Sequence, residues 1–235
     1  MILYGRNPVR EAVAGPRRVF RVWASLPAGR EEWIAALRPE VVPEPELEEL
    51  CGSEDHQGVC AEVEPYRYAD PRSLLEAGDA LVVALDEVQD PRNLGAVCRV
   101  ADAVGAAGVV IGERRSAQVT PVVCKASAGA VEYLAVARIR NLADYLAEAK
   151  QQGAWVYGAS TTDAVPYDRP DYRGRVVLVF GSEGRGLRPR VRAGCDELIA
   201  LPLHGRIESL NVSAAASAVL YGILHFREIR VDSAP

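Results

Sequence analysis

Six residues combine side-chain types and positions suited to chemistry in one pocket: Asn93 and Arg99, Gly181 and Glu183, Ser209 and Asn211. Amides, a carboxylate and a guanidinium can orient a polar substrate and stabilise negative charge as it develops. Each pair lies where an apolar run ends or a helical pattern begins. In an open α/β sheet, ligands bind at that edge.

The surrounding sequence supplies elements to hold them. Residues 80–85 (ALVVAL) form a continuous apolar, β-branched run of the kind found in buried parallel strands. Beyond the break at 86–91, Leu94, Val97, Val100, Ala101 and Val104 recur at helical spacing, which puts Asn93 at a helix start as an N-cap. Arg99 lies six positions on and can reach back toward the same edge. Residues 175–180 read as a second buried strand, followed at once by Gly181, Gly184 and Gly186, with Pro189 at a helix start and Leu187 pointing inward. Residues 197–201 make a short strand ended by Pro202, and 204–208 a loop. Residues 212–226 then read as a packed Ala-rich helix, which Ser209 or Asn211 would cap. Taken singly, each segment is explained by a cap or a tight turn. That explanation does not cover Glu183 among glycines, or the joint occurrence of all three segments.

The segments NLGAVCRVADAVGA, FGSEGRGL and SLNVSAAA resemble motifs 1, 2 and 3 of the SpoU branch of the SPOUT superfamily. These are RNA ribose 2'-O-methyltransferases that use S-adenosylmethionine. The resemblance runs from residue 80 to the end and implies an α/β fold with a mostly parallel sheet, whose tail threads a loop in a deep trefoil knot. It implies catalytic roles for Asn93, Arg99, Glu183, Ser209 and Asn211. Cofactor contacts are implied at Phe180, Gly181, Leu201, Ser209 and Leu210, and homodimerisation through the knot domain. Since Arg stays charged in proteins, Arg99 is expected to stabilise the developing alkoxide and grip the adjacent phosphate rather than act as a base. Glu183 would fix Arg99 or Asn93.

The N-terminal residues differ in style. Strands are expected at 19–24 and 59–63 and helices at 8–14, 31–37 and 46–50, a small α/β unit over residues 1–66. The stretch 65–71 (PYRYADP) reads as an unpacked connector within a linker over 67–79, ahead of a catalytic domain at 80–235. The opening YGRNPVREA and the turn at His56 resemble the L30e-like RNA-binding domain of ribosomal RNA members of the family. Arg6, Arg10, Arg17, Arg18 and His56 are its candidate RNA contacts, with Arg92, Arg185 and Arg206 near the motifs.

Bulk charge is discordant with an RNA partner. The chain carries 27 Lys and Arg against 32 acids, so phosphate must be bound by a local patch. Lys occurs only at 125 and 150, and Arg185, Arg188, Arg190 and Arg192 crowd after motif 2. They make either a basic mouth or a solvated helix face. The 49% hydrophobic content suits packed cores, and no apolar run approaches a membrane span. Nor does the N-terminus resemble a signal peptide. The five Cys form no CxxC pair and the three His show no ligand spacing, pointing to reduced thiols in a cytoplasm and to no metal. A nicotinamide enzyme is disfavoured because Gly181, Gly184 and Gly186 are spaced GxxGxG rather than GxGxxG, and no GK[ST] is present for a P-loop. An RNA-binding module without catalysis stays open. Within the family, the reading is a guanosine of large-subunit (23S) ribosomal RNA, with a tRNA or a thiostrepton-resistance-type rRNA adenosine as alternatives.

Overall fold

The structure is a computed structural model that describes residues 1–231, with side chains through residue 228. The N-terminal unit comprises β1 (Ile2–Tyr4), α1 (Arg6–Ala14), β2 (Val19–Ala24), α2 (Glu32–Ala35), β3 (Glu40–Val41), α3 (Glu44–Cys51) and β4 (Val59–Val63). Its sheet runs β1-β4-β2-β3, with β1 and β2 antiparallel to β4 and β3 parallel to β2. Strands β2 and β4 form where the sequence predicts. The helix expected at 31–37 is shorter, because the chain first makes a 3-10 turn at Ala28–Arg30 and leaves the helical region at Arg38, whose φ is +52°. Helix α3 starts on Pro43 with Glu44 and Glu46 in its first turn, where acids favour the positive end of the helix dipole. It ends on Gly52 at φ +67°, a conformation glycine adopts without steric cost.

The larger unit follows as β5 (Leu81–Asp86), α4 (Pro91–Ala103), β6 (Gly108–Gly112), α5 (Pro121–Ala126), β7 (Val136–Ile139), α6 (Leu142–Gln151), β8 (Trp155–Ala159), β9 (Val165–Pro166), β10 (Val176–Gly181), α7 (Pro189–Gly194), β11 (Glu197–Ala200) and α8 (Val212–Val231). Its seven strands lie in the order β7-β6-β5-β10-β8-β11-β9, and every pairing is parallel. Strand β5 is buried along its whole length, as its unbroken apolar sequence requires. From β5 the chain proceeds to β6 on one side; from β10, the adjacent strand, it proceeds to β11 on the other. Such a reversal opens a crevice at the carboxyl ends of the two strands, where Asp86 and Gly181 stand in register.

The connector packs, contrary to the composition-based expectation. Tyr66 and Tyr68 meet edge to face at 5.2 Å. The Tyr66 hydroxyl donates to Leu134 O and accepts from Val136 N, and the Tyr68 hydroxyl accepts from Val119 N. Ala69 bridges to Ala137, and Leu74 and Leu75 are buried. Two aromatic rings with hydroxyl tips supply the apolar surface and polar satisfaction that Pro and Asp do not.

One hydrophobic core spans both units, joining Leu3, Val9 and Val59 to Val97, Cys98 and Cys124. At their junction Arg17 forms an ion pair with Glu132, the two side chains being only 8% and 0% exposed. Arg17 Nη1 also donates to Glu64 O at 3.3 Å, and the Lys125 ammonium donates to Asp55 O and Gln57 Oε1 at 2.9 and 2.7 Å.

Candidate active site

Helix α4 starts three residues earlier than a cap at Asn93 would require. Asp90 is the N-cap, its carboxylate accepting from Arg92 N at 2.8 Å, and Pro91 takes the first helical position. An Asp-Pro pair before an apolar-periodic run is a readable start signal. The correction frees the Asn93 side chain from capping.

Its amide turns to the other two segments. Asn93 Nδ2 donates to Glu183 Oε1 at 2.9 Å. Asn211 Nδ2 donates to the same oxygen at 2.6 Å and to Asn93 Oδ1 at 3.0 Å. Three side chains separated by 90 and 28 residues thus close a ring of hydrogen bonds. Asn211 also performs the capping role read from the sequence, since its Oδ1 accepts from Ser213 N at 2.8 Å and from Ala214 N at the start of α8. The cap and the ring use opposite ends of one amide.

Glu183 reaches this place because the loop after β10 folds back tightly. Gly186 N donates to Ser182 O at 2.9 Å, and Gly186 takes φ +64°. A Cβ on Gly181 would stand 2.2 Å from the Gly186 carbonyl carbon, so no side chain fits there. At the loop's far end Arg188 is fixed to β5: its N and Nε donate to Asp86 at 2.8 and 2.7 Å. The Asp86 side chain is fully buried. A buried carboxylate needs such a partner, and the pair clamps the outgoing limb of the loop. Sequence reasoning missed Asp86; the visible signal is an acid at the last position of an otherwise apolar strand.

The arginine cluster after motif 2 divides. Arg188 is engaged by Asp86, and Arg192 donates to Ser160 Oγ at 2.8 Å and pairs with Asp163 at 3.2 Å. Among the described residues, the guanidinium groups of Arg92, Arg99, Arg185, Arg190 and Arg206 have no hydrogen-bond or ion-pair partner, and all five are exposed. Arg92 and Arg99 stand seven residues apart, hence on one face of α4. Arg99 is not bonded to the ring, and Glu183 does not fix it.

Residues 202–210 are where the cofactor expectations fall. Within the described residues this loop makes no backbone hydrogen bond, although it follows a paired strand. Ser209 is exposed, Leu210 is 40% exposed and Ile207 67%, while Leu201 is partly buried against the core. Free amides and carbonyls beside exposed apolar side chains can hold a ligand with an adenine ring and a charged tail. Phe180 is buried inside β10, so only its backbone faces the crevice end.

The N-terminal candidates fare differently. Arg6 pairs with Glu31, and the Arg10 guanidinium lies 4.7 Å above the Trp33 ring. His56 is buried and its Nδ1 accepts from Gly58 N at 2.9 Å; its Nε2 is 4.0 Å from Glu48. This histidine shapes a turn and is largely buried at the wall of a cleft. Arg17 is likewise consumed at the unit junction.

Residues 80–221 match the SpoU rRNA Methylase family and residues 2–69 the RNA 2'-O ribose methyltransferase substrate-binding family. The chain belongs to the SpoU methylase family. It is therefore a methyltransferase that uses S-adenosylmethionine and methylates ribose 2'-hydroxyls of RNA. A Bacillus subtilis (strain 168) relative assigned to the TrmH family of tRNA/rRNA methyltransferases is 37% identical over 236 residues, covering 95% of this chain and 94% of its own. The SpoU methyltransferase AviRb of Streptomyces viridochromogenes, solved with AdoMet, superposes with TM-score 0.83 at 25% identity, over 97% of this chain and 90% of its own. A TrmH/SpoU tRNA-modifying enzyme of A. aeolicus, 27% identical with TM-score 0.60, covers 68% of this SpoU chain and 81% of its own.

Proposed function

We propose that this SpoU enzyme methylates a guanosine ribose in large-subunit ribosomal RNA, using residues 1–66 to position the RNA and residues 80–235 to catalyse transfer. What carries the catalytic part is the closed Asn93–Glu183–Asn211 ring, with Arg99 exposed on the same helix as Asn93. The ribosomal reading is supported by the substrate-binding N-terminal unit, since the A. aeolicus tRNA-modifying enzyme matches only 68% of the chain.

S-adenosylmethionine supplies a methyl group already activated as a sulfonium. The protein's task is to align the 2'-hydroxyl with it and to tolerate the alkoxide that forms. Residues 202–210 with Gly181 would hold the cofactor by backbone groups in the trefoil knot, and Leu210 would cover its apolar face. Within the ring, Glu183 keeps one oxygen and Asn93 one N–H unused, an acceptor and a donor for ribose hydroxyls. Arg99 then places positive charge at the phosphate and developing oxyanion, while the hydroxyl proton leaves to phosphate or water. Ser209 shapes the pocket rim. Arg92, Arg185 and Arg206 supply phosphate contacts around it.

Homodimerisation through the knot domain is part of the reading. Ala214, Ala218 and Tyr221 are exposed at helical spacing on one face of α8, and Tyr221 is 52% exposed. Equilibrium sedimentation should give a dimer that Tyr221→Glu weakens; a monomeric wild type would reject it.

The substrate test is to incubate unmodified 23S rRNA and unmodified tRNA separately with the enzyme and methyl-labelled cofactor, then map 2'-O-methyl positions. Label at a single guanosine of the ribosomal RNA is expected. Labelling of tRNA alone, or of an adenosine, would overturn the assignment.

A further inference from the structure

The N-terminal sheet carries two clefts of similar size and opposite charge. One, about 500 Å³, is lined by Arg6, His56 and the four acids Glu31, Glu44, Glu48 and Glu54. Arg6 is neutralised by Glu31, so this cleft repels phosphate. The other, about 520 Å³, is lined by Val13, residues 19–22, Arg38 and Glu40. Consecutive strand residues normally point to opposite faces. Here four in a row border one cleft, and the cause lies in the register: Val19 pairs with Val63 and Arg21 with Glu62, leaving Phe20 as the extra residue of a β-bulge. A bulge re-aims a side chain at a site.

The re-aimed side chain is an aromatic ring that the core does not use. Phe20 is 53% exposed although β2 is an inner strand. The Arg18 guanidinium lies 5.3 Å from its ring centroid and has no other partner among the described residues. Across the cleft, Arg38 is exposed and its guanidinium has no partner among the described residues, while Arg21 approaches Glu40 at 3.8 Å and lies 5.5 Å from the Trp23 ring centroid. An exposed aromatic ring with one arginine against it and two more lining the same cleft fits a nucleobase with its neighbouring phosphates.

We propose that the Phe20 bulge is a stacking platform for an unpaired base of the RNA substrate, with Arg18, Arg21 and Arg38 on the flanking phosphates. It rests on the RNA-methyltransferase reading and names where the N-terminal unit grips that RNA.

The test uses the full chain and a fluorescein-labelled single-stranded 12-nucleotide RNA of mixed sequence, with calorimetry of S-adenosylmethionine as a control for the fold. Phe20→Ala should weaken RNA binding about tenfold or more, Phe20→Trp should restore it, and both should bind cofactor as wild type does. Arg18→Gln with Arg38→Gln should flatten the salt dependence of binding by roughly one to two phosphate contacts. Unchanged RNA affinity in Phe20→Ala would overturn the platform while leaving the enzyme reading intact. A shift in sedimentation of Phe20→Ala with no loss of RNA binding would assign the cleft to a protein contact and overturn it too. Failure of the wild type to bind RNA at any salt would remove the reading beneath it.

Discussion

Arginines that hold the fold together and arginines near the carboxyl edge of the large sheet have the same chemistry and opposite employment. Arg17 is buried against Glu132 and Glu64 O, Arg175 donates to Leu75 O and Gln152 O, and Arg227 to Tyr172 O, Asp79 O and Gly174 O. Arg92, Arg99, Arg185, Arg190 and Arg206 have exposed guanidinium groups without partners among the described residues. The first set neutralises orphan carbonyls and one buried carboxylate. Only the second is free to meet phosphate. Net acidity is therefore no obstacle to an RNA partner, because the charge that matters is local and unspent.

The sharpest way to break this contrast is to remove Arg99. Arg99→Ala should lower single-turnover methyl transfer about 10²–10³-fold or more while cofactor affinity by calorimetry stays near wild type. Turnover near the wild-type rate would move Arg99 to the idle set. The opposite member, Glu132→Ala, should leave the catalytic edge alone and lower unfolding free energy by about 3–5 kcal/mol in urea, by stranding the Arg17 charge. Replacing both by Met and Leu should recover most of that loss. A single substitution costing nothing would mean the junction is open to water.

A smaller effect is set by pH. Burial pushes the Cys124 and Cys195 thiols up to about 11. The unfolded chain releases these protons near pH 8.5, the folded chain only near 11, so between those values the unfolded state binds fewer protons. Stability is full below pH 8.5 and declines toward pH 11, by on the order of 3 kcal/mol for Cys124. The urea midpoint should fall over that window, and Cys124→Ser should flatten the fall; a midpoint rising with pH would contradict the burial. Smallest of all, Arg185→Gln or Arg206→Gln should each reduce the slope of log affinity against log salt by about 0.7–0.9.

Much of this organisation was legible because apolar runs, Pro and Gly mark strand ends and helix starts. β5, β10 and β11, and the start of α8, stand where periodicity put them. The middle of the sheet was not read: β6, β7 and β8 are four or five residues long, and runs that short do not separate strand from buried helix. Asn93 was read as a cap because the pattern of apolar residues hides that Asp90-Pro91 starts the helix one turn earlier. Which arginines are free could not be read at all, since Asp86 and Arg188 lie 102 residues apart and Arg17 and Glu132 lie 115 apart. Partnership is a tertiary property, and so is the bulge that exposes Phe20.

On the proposed mechanism, three distant segments act as one catalytic unit. A double-mutant cycle on methyl transfer tests it, with Asn93→Ala, Asn211→Ala and the double variant measured at saturating RNA and cofactor. Groups that act together lose their effect together, so the double variant should be no slower than the slower single one. Losses that multiply would show that Asn93 and Asn211 contribute independently, and would contradict a site built on their shared ring with Glu183.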